Sequence, residues 1–305
     1  MKNATTKITL ASLAVAIPLA GLAGIQGSGH NLAVVARVTG NLGDNLSVGG
    51  LSYSDAGASV EVDGQAGQST QLEVGDVVTA YGKGSHIERL ILNHAVRGTV
   101  TSVDPVGGTF MAAGQTVQVN NQTVLDSALA QAGLSALLPG AKVQVSGWAD
   151  STGNIIASRV DVQTAAEPTQ VSGEVSSLDA SRHRFKINQL TVDYSTSEVE
   201  GLLQEGADVV VDGVSFDRNG TLVAKDVQLV QPLQVTAGQT GRLEGIITEI
   251  TSTVEFQIDG QPVLVTAGTK QNLHGAIALN AKVKASGEFD SNGVLVLGSL
   301  QSSRK

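Results

Sequence analysis

Apolar and polar residues alternate along most of this chain, and the alternation comes in short runs separated by glycine, asparagine and aspartate. In the stretch 96–165 the runs Gly98–Val103, Thr109–Ala112, Thr116–Val119, Lys142–Val145 and Ile155–Val162 each have the period of two that marks a half-buried strand. Gly107-Gly108, Gly114-Gln115 and Asp150-Ser-Thr-Gly153 punctuate them as hairpin turns. One segment departs from the alternation. In Thr123–Leu134 the residues Leu125, Leu129 and Ala132 have helical spacing, and Thr123 or Asp126 could cap the start, so a short helix is expected there. Shorter versions are expected at Ser195–Leu203 and Thr269–Leu279. The predicted order is β-β-β-α-β-β, which fits a small five-stranded OB-like Greek-key barrel, all-β with one short helix. A plain five-stranded meander or sandwich has the same strand count.

This pattern recurs. A strand end of the form V-x-V-x-G appears at Val143–Gly147 and Val209–Gly213, with looser versions at Val78–Gly82 and Val283–Gly287. A turn of type L-x-x-G precedes three of them, at Leu72–Gly75, Leu137–Gly140 and Leu203–Gly206. A D-x-x-G-x-[IL] hairpin follows three, at Asp150–Ile155, Asp217–Leu222 and Asp290–Leu295. Similar openings stand at Arg97–Asp104, Ser172–Asp179 and Glu244–Ile250. The chain therefore divides into a divergent β unit one at 31–95 and three β-barrel units at 96–165, 169–231 and 240–301. Two short linkers containing Pro168 and Pro232 separate the last three. A unit this small has a thin core, so neighbouring units are expected to pack on each other.

Units two to four resemble the bacterial domain of unknown function numbered 5666, through the G-x-[VI]-x-x-[VIL] opening, the V-x-V-x-G strand and the D-x-x-G-x-[IL] hairpin. Unit one departs from it, since Gly82-Lys-Gly-Ser-His-Ile lacks the aspartate hairpin and Val35–Gly40 lacks the leading glycine. The resemblance implies a tandem, exported β-domain and implies no activity.

Composition narrows the compartment and the chemistry. Lys2 and Lys7 flank a start without acids, Ile8–Ile25 carries no charge, and Pro18 is followed by small residues. That is the layout of an export signal, with cleavage expected after Ala23, so residues 1–23 are read as a signal peptide, with an uncleaved anchor as the alternative for an apolar run of this length. No later segment is long and apolar enough to span a bilayer, which places the mature chain in the periplasm or outside the cell. There is no cysteine, which removes disulfides, thiolate metal sites and cysteine nucleophiles. Net charge is −9, against a general nucleic-acid binder.

The candidate chemistry is sparse. No nucleophile elbow, phosphate loop or dinucleotide fingerprint is present. The aspartate hairpins lack the ligand series of a calcium loop. Of five histidines, His86 and His94 sit about 26 Å apart if the run is extended, too far to share a metal. Trp148, the single tryptophan, reads as a packing residue. The feature that stands out is Arg182-His-Arg-Phe-Lys186 in acidic unit three. Alternation puts Arg182, Arg184 and Lys186 on one face, a candidate ligand-binding set for an anion, with Phe185 on the other. No catalytic residue, metal or cofactor is expected. The expected function is a non-enzymatic binding or structural module for a cell-envelope protein, with an anionic glycan or other ligand as the alternative partner.

Overall fold

The computed structural model describes residues 31–164, 168–273 and 277–302. The expected signal peptide, His30 and His274 lie outside the described residues. Unit one contributes β1 (Leu32–Leu42), β2 (Asn45–Val48), β3 (Leu51–Ser54), β4 (Ser59–Val62), β5 (Gln65–Gly67), β6 (Val77–Lys83) and β7 (His86–Leu92). Unit two contributes β8 (Val96–Asp104), β9 (Thr109–Ala112), β10 (Gln115–Gln118), β11 (Val124–Leu125), β12 (Lys142–Ala149) and β13 (Ile155–Gln163). Unit three follows with β14 (Thr169–Asp179), β15 (Arg184–Ile187), β16 (Leu190–Asp193), β17 (Glu198–Glu200), β18 (Asp208–Phe216) and β19 (Leu222–Leu229). Unit four has β20 (Thr240–Ile250), β21 (Glu255–Ile258), β22 (Gln261–Asn272), β23 (Lys282–Phe289) and β24 (Leu295–Ser302).

The pairing within a unit repeats. In unit two β8 pairs with β9 and β12, β9 with β10, β12 with β13, and β13 runs parallel to β10 and β11. Unit three follows the same scheme, from β14–β15 and β14–β18 to the parallel β16–β19 and β17–β19 pairs.

The expectation of separate OB-like barrels, each with a helix, is corrected by the structure. Strand makes up 59% of it, there is no α-helix among the described residues, and the strands are arranged as a β-solenoid of about 8 turns. The units are joined edge to edge. β1 lies parallel to β20 and β8 lies antiparallel to β14, giving two 12-stranded sheets. One hydrophobic core runs without a break through units two and three, from Val96 and Phe110 to Phe185 and Val227. The reason is the size of the repeat. A unit of this length buries too little apolar surface alone and leaves strand edges open, and pairing with a neighbour removes both problems.

The expected helix is replaced by turns. Val124–Leu125 instead pairs with Arg159–Val160 of β13. Thr123 donates its hydroxyl to Ala157 O at 2.7 Å, and Asp126 accepts from the Leu129 and Val162 amides at 3.0 and 2.7 Å. Leu129, Leu134 and Leu137 are buried, so the helical spacing recorded core contacts made from turns and a short 3-10 segment at Gly133–Ala136.

Two glycine positions explain the repeat. Gly82, Gly147, Gly213 and Gly287 each sit where the next-to-last strand of a unit shifts register against the last. A Cβ at Gly82, Gly147 or Gly287 would collide with the carbonyl oxygen of His86, Ile156 or Val296, and at Gly213 with the Leu222 side chain. The bulge needs glycine because the partner backbone comes too close for anything larger. The second position is the opening glycine. A Cβ at Gly98 would lie 2.7 Å from Ala113 Cβ, at Gly173 2.7 Å from Ile187 Cγ2, and at Gly245 2.9 Å from Ile258 Cγ2. Unit one carries Ala36 at this place, since Ala36 faces Val78 as Gly98 faces Val143. Its turn residue is Gly49, whose Cβ position lies 3.2 Å from Ala36 Cβ. The small residue has moved across the contact from strand to turn. Unit one keeps the close approach while losing the sequence signature.

Candidate functional site

The basic stretch lies on the first two hairpins of unit three. Residues 180–183 turn β14 into β15, and Asn188 starts the next turn at φ +55°. Arg184 and Lys186 are exposed while Phe185 and Ile187 are buried, as the alternation demands. Arg182 is in the turn, exposed. The structure therefore exposes all three, Arg182 in the turn before β15 and Arg184 and Lys186 along the outer face of β15.

Two of the three cations have counter-ions. Arg182 donates to Asp179 Oδ2 at 2.8 Å, and Arg184 Nε and one terminal nitrogen donate to Asp193 Oδ2 at 3.2 and 3.1 Å. The Ser181 hydroxyl, followed by the Arg182 amide and guanidinium, holds the Asp179 carboxyl down to about 2. The Ser195 hydroxyl and amide, with Arg184, hold Asp193 below the usual range. Both acids stay ionised near neutral pH. Lys186 faces Ser176 on one side and Thr191 on the other.

Two rings stand at the end of β15 and β16 on the side of Phe185, opposite the Arg184 and Lys186 face, and sequence reasoning missed their pairing. His183, in the turn at φ +53°, meets Tyr194 edge-on with ring centroids 5.4 Å apart, and Tyr194 also contacts Phe185 at 5.6 Å. The Tyr194 amide donates to His183 O at 2.9 Å, which ties the rings to the strand ends. A signal was available. Counting outward from the turn at Asn188–Gln189 puts Arg184 opposite Asp193 and Tyr194 just beyond.

The remaining polar clusters lie where units meet. At the first, Asp63 accepts from the His94 amide at 2.8 Å and from Arg97 at 2.9 Å, and lies 2.8 Å from His94 Nδ1. The Gln144 amide donates to His94 Nε2 at 2.7 Å, which leaves the ring proton on Nδ1 facing Asp63. Arg97 reaches on to Gln170 at 2.7 Å, which donates to Asp212 at 3.0 Å. Burial pushes the Asp63 carboxyl up, but the His94 bonds and the Arg97 charge outweigh it and its pKa is lowered. His94 is buried in this network, whereas His86 is exposed on β7.

At the second, Glu244 Oε1 accepts from Arg37 at 2.8 Å and lies 3.4 Å from Lys282, while Lys284 stands 3.8 Å from Oε2. Arg37 also donates to Gln122 O of unit two at 3.2 Å. The Lys282 ammonium sits 4.1 Å from the centre of the Trp148 ring, so Trp148 is a buried contact between units two and four. Burial pulls the Lys282 amine down to about 8, against the attraction of Glu244. A third contact joins Asp76 to the Ser146 hydroxyl at 3.0 Å, beside ion pairs from Arg159 to Glu73 and Asp161.

The aspartate hairpins are closed by their own turns. Asp150 Oδ1 accepts from the amides of Thr152 and Asn154, Asp217 Oδ1 from Asn219 and Thr221, and Asp290 Oδ1 from Asn292 and Val294, all at 2.8–2.9 Å. Among the described residues no group of three or more His, Asp or Glu is arranged to hold a metal ion. No helix there is long and apolar enough to cross a membrane.

Repeated all-β units joined through buried polar contacts define a tandem-repeat β protein. Its sequence matches the family described as a domain of unknown function (DUF5666) in three tandem segments, residues 97–161, 172–228 and 244–296. These cover more than half of the chain, which belongs to that family. No curated protein matches it.

Proposed function

We propose that this chain is an exported, non-enzymatic scaffold that docks a cell-envelope protein. The observation that supports this reading is a set of exposed apolar side chains at corresponding turns. Leu42 and Val106, exposed to 82% and 99%, stand in the first hairpins of units one and two, and Val254 in that of unit four. Leu138, Leu202 and Leu279 are exposed in the segments leading into the next-to-last strand of units two, three and four. Scattered apolar residues on a surface need no explanation, but recurrence at the same turns of successive repeats suits a partner that follows the repeat. The polar groups at the unit junctions are engaged with one another, which suits a stiff platform. The export signal read from residues 1–23 supplies the compartment.

The test is crosslinking in cells of the tagged chain at native level, followed by mass spectrometry. The reading expects the tagged protein outside the cytoplasm and one dominant envelope protein in near-stoichiometric yield. It expects that yield to fall at least tenfold when Leu42, Val106 and Leu138 are all changed to Asp, positions exposed enough to leave folding intact. Retention in the cytoplasm, or the same partners for both forms, contradicts it.

A further inference from the structure

The junction of units one and four carries more positive charge than its acid needs. Glu244 on β20 is buried, and Arg37, Lys282 and Lys284 stand 2.8, 3.4 and 3.8 Å from its carboxylate oxygens. Pairing a buried acid takes one well-placed cation. Among the described residues no second acid is paired with any of the three, so three cations face one carboxylate in a chain of net charge −9. Arg242, two residues before Glu244 on the same face of β20, adds another cation with no acid paired to it among the described residues.

The fold does not ask for this charge. Where Glu244 faces Lys284, unit two sets Arg97 against Gln144 and unit three sets Ser172 against Val210. Where Ile246 faces Lys282, unit two sets Thr99 against Lys142 and unit three sets Glu174 against Asp208. The sister strands pair in the same register without the cluster. Access to it runs past Lys284, whose side chain is 38% exposed, against 15% for Lys282 and 18% for Arg37. Trp148 closes another side. Its ring centre lies 4.1 Å from Lys282 Nζ, and its Nε1 is buried with no acceptor from the protein.

We infer that Arg37, Lys282 and Lys284 bind a phosphate dianion, as the free ion or as the end of a phosphate monoester. A dianion balances the two surplus charges, whereas a carboxylate balances one. The Arg37 fork and the two ammonium groups supply charge-assisted hydrogen bonds that the oxygens of a single phosphate can accept together. The narrow approach past Lys284 suits one compact group. Once bound, the phosphate ties β1 of unit one to β23 of unit four and relieves the repulsion that Arg37 and Lys284 exert on Lys282. The site is separate from the apolar turns and does not depend on a protein partner.

The test is titration calorimetry of the full chain at pH 7.5 and constant ionic strength, with sodium phosphate, glycerol phosphate and sodium acetate. Phosphate is expected to bind, and acetate at least tenfold more weakly. Binding of glycerol phosphate as well supports the ester form, and binding of phosphate without it supports the free ion. Lys284→Gln, which copies Gln144 of unit two, should weaken phosphate at least tenfold, and so should Lys282→Met. Lys186→Gln, on the exposed face of β15, should leave it unchanged. Circular dichroism checks that each variant folds, and Lys284→Gln, at the most exposed of the three positions, carries the test if Lys282→Met does not fold. The inference is overturned if phosphate does not bind, if Lys284→Gln binds it as wild type does, if Lys186→Gln weakens it equally, or if acetate binds as tightly as phosphate.

Discussion

Two junctions between units handle buried charge in opposite ways. Around Asp63 a carboxylate meets the His94 ring, the His94 amide and Arg97, the second ring nitrogen is taken by Gln144, and the chain of bonds runs on to Asp212. The result is a carboxyl with a lowered pKa. Around Glu244 one carboxylate faces Arg37, Lys282 and Lys284, and the excess positive charge is spread over the Trp148 ring and backbone carbonyls. There burial outweighs attraction and Lys282 is pulled down. A buried charge settles when it is paired and all its hydrogen-bonding capacity is used, and remains uneasy when it is only attracted. The first junction is therefore expected to stabilise the assembly at neutral pH, and the second to stabilise it better once Lys282 loses its proton.

Breaking the first junction should have the largest effect. Asp63→Ala leaves the His94 amide and ring without their acceptor and removes the carboxylate that pairs with Arg97, and should cost about 3–5 kcal/mol in denaturant unfolding. Tightening the opening contact comes next. Gly98→Ala puts a Cβ 2.7 Å from Ala113 Cβ and should cost about 1–3 kcal/mol, and pairing it with Ala113→Gly, which copies the arrangement of Ala36 and Gly49, should restore most of that. Recovery below half in the double variant would mean that unit one solves the contact some other way.

The second junction is sharpened by pH. The Lys282 amine titrates near 8 in the folded chain and at 10.5 when unfolded, so between those values the unfolded chain holds more protons. Stability should rise with pH across that window, by up to about 3 kcal/mol from this group. Lys282→Met should flatten the rise, as read by denaturant midpoints at pH 7.5 and 10. The smallest effect is expected outside both junctions. Asp150→Ala should cost about 1 kcal/mol, because it only unties one hairpin.

Much of this was legible in the sequence. Alternation marks the strands of unit two closely, since Thr109–Ala112 is found as expected and Lys142–Val145 and Ile155–Val162 lie within longer strands. The recurring V-x-V-x-G ends mark real bulges, and Phe185 points inward from Arg184 and Lys186 as the period of two requires. The helix was not legible, because Leu125 meets the core from the short strand β11 and Leu129 from a turn tied by Asp126, and spacing alone cannot separate that from a helical face. Packing of neighbouring units was expected from their size, but which strand edges join was not legible. It depends on β1 meeting β20 more than two hundred residues later, and on Asp63, Arg97 and Gln170 coming together from three repeats. Unit one looked divergent because the exchange of Ala36 and Gly49 erases the motif while preserving the contact.

The central claim is that the four repeats form one body held by these junctions. Differential scanning calorimetry of the full chain at neutral pH tests it most directly. One transition is predicted, with calorimetric and van't Hoff enthalpies equal within error, lost to two or more transitions in Asp63→Ala. Separate transitions in the unaltered chain, with any one unit melting by itself, would contradict it.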